Sequence, residues 1–118
     1  MSNLNFYETF YLTRPDISED ELSRVQKRLD DTISNHEGEI IKSEKWDERD
    51  LAYTIGDYTK GVYYILIYKS LSSVVKEIEK NLRFFNTDVL RFITLNIPEE
   101  TALREQVSTE EQTDNGGI

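Results

Sequence analysis

Seven consecutive β-branched, aromatic or aliphatic residues, Val62-Tyr63-Tyr64-Ile65-Leu66-Ile67-Tyr68, limit what this chain can fold into more than any other stretch. A run of this kind, bounded by Gly61 and Lys69, reads as a strand. Just upstream, Gly56-Asp57-Tyr58-Thr59-Lys60-Gly61 has turn chemistry, so Trp46 to Ile55 is expected to be the other arm of a hairpin. Side chains alternate faces along a strand. Val62, Tyr64, Leu66 and Tyr68 therefore share one face, and Tyr63, Ile65 and Ile67 the other. Both faces are apolar. A sheet with helices on one side needs only one such face, which leaves the second to be covered or to serve as a docking surface.

The flanking segments supply the rest of the sheet. Phe6 to Leu12 reads as a first strand stopped by Arg14-Pro15-Asp16, with Tyr7, Thr9 and Tyr11 on one face and Phe6, Glu8, Phe10 and Leu12 on the other. Ser18-Glu19-Asp20-Glu21 is a capping box, and Leu22, Val25, Leu29 and Ile33 recur at helical spacing until Gly38. Glu39 to Trp46 resumes as extended chain. After the hairpin, Ser70, Ser72 and Ser73 are candidate N-caps for a second helix carrying Val74, Val75, Ile78 and Leu82. Asn86-Thr87-Asp88 turns the chain into a last strand, Val89 to Ile97, ended by Pro98. The order β-α-β-β-α-β is that of a ferredoxin-like sandwich, an α+β fold with four antiparallel strands and two helices on one face. It is expected over residues 1–98. The acidic tail 99–118, with little apolar beyond Ala102 and Leu103, is expected to be disordered.

Composition narrows the chemistry. The chain has no cysteine and one histidine, His36, which removes disulfides, thiolate catalysis, cysteine-bound zinc and a histidine cluster. His36 follows a helix end, where the dipole is reason enough for it. The carboxylate pairs Asp30-Asp31 and Glu110-Glu111 lie on a helix and in the tail, where solvation accounts for them, and no phosphate-cradling glycine loop is present. No catalytic residue, metal, cofactor or small-molecule substrate is expected. No apolar run approaches the roughly 18 residues of a membrane helix, and the N-terminus has no leader pattern, so no membrane partner and a cytoplasmic location are expected.

The formal net charge is −9, of which −5 falls between Glu99 and Ile118 and −4 on the body. An acidic body argues against strong autonomous binding to nucleic acid and favours a basic protein partner. The aromatics lack the RNP signature of base-stacking sheets, so the open face is expected to dock a partner through Phe10, Leu12, Tyr63, Ile65 and Phe92. The basic side chains singled out for RNA are Lys45 and Arg49 near the start of the hairpin, and Arg83 and Arg91 around the last turn.

Three segments in register resemble the bacterial ribosomal protein S six family of the small ribosomal subunit. Tyr7-Glu8 through Pro15 is similar to its opening strand. Arg49-Asp50-Leu51-Ala52-Tyr53-Thr54-Ile55 is similar to its most specific segment, and Leu82-Arg83-Phe84 with Val89-Leu90-Arg91-Phe92 to its closing pattern. The resemblance covers residues 6 to 97. It implies a ferredoxin-like structural protein, on cytoplasmic or organellar ribosomes, that binds the central domain of small-subunit rRNA. It further implies a heterodimer with the small basic ribosomal protein S eighteen, among other small-subunit proteins. Arg49, Arg83 and Arg91 inherit RNA contact by matching position, while Tyr7, Leu51 and Tyr53 match the pattern as structural residues; Lys45 rests on charge alone. Asp47 and Asp50 dilute the basic loop, and Thr54 stands where the family commonly has proline.

Two other classes fit the same fold. A ferredoxin-like dimerising or ligand-binding regulatory domain explains the apolar face but not the three segments. An acylphosphatase-like hydrolase lacks the phosphate loop after the first strand.

Overall fold

The computed structural model of the chain describes residues 4–105. Its elements are β1 (Asn5–Thr13), α1 (Glu19–Asn35), β2 (Glu39–Ile55), β3 (Tyr58–Ser70), α2 (Ser72–Phe84) and β4 (Val89–Ile97). The strands form one sheet in the order β2-β3-β1-β4, every pairing antiparallel. This is the ferredoxin-like α+β sandwich expected from the element order.

Local chemistry fixes the helix ends. The Ser18 hydroxyl accepts the Glu21 N–H at 3.1 Å, while the Glu21 carboxylate accepts the Ser18 N–H at 3.1 Å. Such a cap is worth about 1 kcal/mol. Glu21 also accepts from Arg14 at 2.7 Å, and Arg14 reaches Asp88 at 2.9 Å, so one guanidinium ties the starts of α1 and β4 to the end of β1. At the far end of α1 the stop lies one residue before the expected glycine. Glu37 adopts φ 60°, with Glu37 N–H on the Ser34 carbonyl and Gly38 N–H on the Ile33 carbonyl. That is the pairing of a Schellman motif. Gly38 is needed for space, since a Cβ there would stand 2.8 Å from Ile33 Cγ2. None of the serines caps α2: Leu71 holds the N-cap position with no side-chain bond, and the Ser70 hydroxyl donates to the Leu71 carbonyl.

The core lies between the helices and one sheet face. Tyr7, Tyr11, Val62, Tyr64, Leu66, Tyr68 and Val89 pack there against Val25, Leu29 and Ile33 of α1 and Val74, Ile78 and Leu82 of α2. No fully buried side-chain polar atom lacks a partner among the described residues. Thr9 is fully buried between Tyr68, at 3.2 Å, and Thr94, at 2.8 Å. Burial pushes the Tyr68 phenol up to about 12, against the bond from Thr9.

Two expectations are corrected here. The hairpin turn is two residues, Gly56-Asp57, with only Gly56 at positive φ, the pattern of a type II′ turn. Tyr58 to Gly61 belongs to β3, and Gly61 is a packing position, because a Cβ there would meet Leu12 Cδ1 at 2.5 Å. The second correction concerns the tail. Residues 99–105 are helical, with Ala102 fully buried, so the chain does not lose order at Pro98. The Pro98 carbonyl accepts from the Thr101 and Ala102 N–H groups, and Glu99 and Glu100 sit at the favourable end of the helix dipole. The expected disorder over 106–118 lies outside the described residues.

Candidate partner and nucleic-acid interface

Sheet register arranges the face away from α1 and α2 in rows. Across the sheet from β2 to β4, one row is Asp47, Tyr63, Leu12 and Arg91. The next is Glu44, Ile65, Phe10 and Ile93, and the third is Lys42, Ile67, Glu8 and Leu95. Trp46 follows Glu44 by alternation onto this face, and a register shift between Lys45 and Asp47 brings Asp47 there beside it. The Trp46 ring lies 4.9 Å from Phe10 and 5.7 Å from Tyr63.

The result is an aromatic cluster with a guanidinium on either side. Arg49 stacks 5.2 Å over Trp46 and pairs with Asp47 at 2.9 Å. Arg91 donates to the Tyr63 hydroxyl at 2.7 Å. Phe10, Tyr63, Arg91, Phe92 and Ile93 border a hollow of about 350 Å³. Trp46 is 50% exposed, Ile93 56% and Leu95 43%. A contiguous apolar surface rimmed by charge is the usual mark of a docking site.

Four of the five expected docking residues share this face. Phe10 and Tyr63 are half-buried at its surface, whereas Leu12 and Ile65 are buried within it. Phe92 borders the hollow, but its ring is turned to the opposite face. It pairs with Tyr11, packs against the helix-side core and carries the Arg83 guanidinium 5.4 Å above its ring. Trp46, Ile93 and Leu95 take the place it was given.

The basic residues also divide. Arg49 and Arg91 lie on the open face, but Lys45 pairs with Tyr64 in register, points to the other side and holds Glu48 at 2.8 Å. Arg83 sits in the last turn of α2. The four basic side chains do not form one cluster.

Beyond Val62, β2 and β3 leave the body as a two-stranded arm, because β1 ends at Thr13. Between the pairs Asp50–Lys60 and Ile55–Tyr58, four residues of β2 face one of β3. This bulge presents Leu51-Ala52-Tyr53-Thr54, and Tyr53 is 85% exposed. Tyr7 is buried as expected of a structural residue; Tyr53 is not. Tyr53 stands on an arm that no other element covers among the described residues, so its place in the motif does not make it a core residue.

A family model described as Ribosomal protein S6 matches residues 6–96. The chain belongs to the ribosomal protein S6 family. Among its relatives, the small ribosomal subunit protein bS6 of Geotalea uraniireducens is 30% identical over 106 residues, covering 90% of this chain and 82% of that one. The protein of the same name from Pelobacter propionicus is 37% identical over 91 residues, covering 77% and 70%. The crystal structure of the 30S ribosomal protein S6 from Thermotoga maritima superposes with a TM-score of 0.71 at 20% identity, covering 96% of this chain and 99% of that one. A putative transposase from Deinococcus radiodurans reaches a TM-score of 0.50 at 12% identity, which shows the shared fold alone. Sequence, not fold, therefore carries membership in the ribosomal protein S6 family. Within the matched span lie the open face, the arm and Arg49, Arg83 and Arg91.

Proposed function

We propose that this chain is a structural constituent of the small ribosomal subunit, holding the central domain of the small-subunit rRNA together with ribosomal protein S eighteen. The observation that carries the reading is the open sheet face. An aromatic cluster of Phe10, Trp46 and Tyr63 is left half-exposed and flanked by Arg49 and Arg91, on a chain of net charge −9. A small basic protein docked there supplies both the missing apolar cover and the positive charge that RNA binding needs. RNA is then held by shape and phosphate contacts across the two proteins, with Arg49 and Arg91 nearest the junction and Tyr53 on the projecting arm. The role requires no catalysis and no cofactor, and it places the protein on ribosomes.

Sedimentation of a native extract at moderate and then high salt tests the assignment. Co-migration with the small subunit in near-equal amounts is expected. A stable free dimer in the soluble fraction, with none on subunits, would mean that the open face pairs with a second copy instead. The isolated chain is expected to bind rRNA weakly, and more tightly once the basic partner is added. With three or four phosphate contacts the log–log salt slope is roughly −3. Tight binding by the isolated chain at physiological salt would overturn the shared-surface reading.

A further inference from the structure

The face away from α1 and α2 is open over only part of its area. Residues 99–105 fold back onto it as a helical segment, and Ala102 is fully buried against Phe6, Ile65 and Ile67. Beneath it Ile67 is 0% exposed, Ile65 6% and Phe6 9%, while Ile93 and Trp46 outside it are 56% and 50% exposed. Chemistry alone does not explain this contrast, since all five side chains are large and apolar. Two things differ. Phe6, Ile65 and Ile67 lie on the central strands β1 and β3 and under the segment, whereas Trp46 and Ile93 lie on the edge strands β2 and β4.

The cover is lightly held. Leu103 is 45% exposed, so Ala102 is the one side chain of the segment that is fully buried. Its end is fastened by Lys42, which bonds Glu105 at 3.2 Å and Glu44 at 3.2 Å. Part-exposed ion pairs of this kind add little, and a single methyl group adds little more. A partner strand or helix with larger aliphatic side chains would re-cover Phe6, Ile65 and Ile67 and bury apolar area of its own that Ala102 does not supply.

We propose that the 99–105 segment is a displaceable cover over the inner half of the sheet, and that the basic protein partner dislodges it to extend its footprint from Trp46 and Phe10 onto Phe6 and Ile67. The cover keeps those side chains from pairing with other chains until the partner arrives, as a covered apolar face must. This rests on the docking reading above, and the competition lets the partner be held by more surface than the free protein exposes.

Two variants of the full chain test it. Ala102→Glu puts a carboxylate against Phe6 and Ile67, and Leu103→Glu puts the same charge on the exposed side of the same segment. Without partner, titration with the apolar dye ANS is expected to give at least a fivefold larger signal for Ala102→Glu than for the parent or Leu103→Glu, with unfolding midpoints unchanged. An equal response of the two variants overturns the cover. With purified ribosomal protein S eighteen added, the amides of 101–105 are expected to lose hydrogen-exchange protection, and Ala102→Glu to bind about three- to tenfold more tightly than the parent. Binding with protection at 101–105 intact overturns displacement while leaving the docking reading standing. No binding by any of the three chains overturns both.

Discussion

Tyr11 and Phe10 are neighbours in β1 and point to opposite sides of the sheet. Tyr11 is 1% exposed and stacks on Tyr64 at 5.5 Å, enclosed by the helices. Phe10 rests on Trp46, which is itself half in solvent. The same alternation supplies both faces with aromatics, so hydrophobicity does not decide which becomes core. What decides it is whether the chain has an element left to lay over the face. Two long helices close one side, with Leu29, Ile33, Ile78 and Leu82 interdigitating with the tyrosines. Among the described residues a single short segment, 99–105, closes part of the other.

The difference should show most strongly in side-chain truncation. Leu29→Ala, 1% exposed in the helix-side core, is expected to cost roughly 2–5 kcal/mol in urea unfolding, the range for aliphatic cavities. Ile93→Ala, on an outward row of the open face, is expected to cost less than about 1 kcal/mol while weakening partner docking. Similar costs for the two would mean that the open face is already a core, and the comparison would fail.

A second test falls where the faces meet the arm. Gly61 lies under Leu12, and a Cβ there would also stand 3.0 Å from the Thr13 carbonyl oxygen, which cannot swing away. Gly61→Ala is expected to destabilise by about 1–3 kcal/mol through overpacking. Gly56→Ala meets nothing within 4 Å and pays only for its positive φ of 59°. Equal losses at the two glycines in denaturant melts would show that both act as turn residues, which is how they read from sequence.

Legibility in the sequence followed the range of the interactions. The Ser18–Glu21 cap, the helical spacing of Val25, Leu29 and Ile33, and the alternation in β3 are set by residues a few positions apart, and the fold follows from them. For Phe92 the sequence allows either face, because β4 is apolar at Leu90, Phe92, Ile93, Leu95 and Ile97, which fits either alternation. Only its pairing with Tyr11 decides. Asp47 joins Trp46 on the open face through a register shift that depends on its pairing with Tyr63 of β3, and no local signal marks it. The segment after Pro98 did carry a signal: two acids at a helix start followed by Thr101-Ala102-Leu103-Arg104. Against it stands the scarcity of apolar residues after Leu103, which points to disorder.

The smallest expected effect lies inside the covered half of the open face. Buried polar groups on the helix side are neutral hydroxyls such as Thr9 and Tyr68, whereas the open face holds a carboxylate, Glu8, in the row between Ile67 and Leu95. Burial pushes its carboxyl above the ordinary 4.5, and Glu105 pushes the same way, with Lys42 opposing them. The folded state therefore binds this proton more tightly than the unfolded chain does. The resulting penalty is absent below the unfolded value of 4.5, grows through the interval up to the folded value, and is complete above it. Glu21 has the opposite sign, because the Ser18 hydroxyl and N–H, then Arg14, hold it below the usual range and its contribution is lost as pH falls. Glu8→Gln keeps the shape and removes the charge. It is expected to stabilise by less than about 1 kcal/mol at pH 7, since Glu8 is only partly buried, and by nothing measurable near pH 4. Paired melts at the two pH values read the difference directly. A gain that is the same at both would assign the effect to packing under the 99–105 segment rather than to a charge held beneath it.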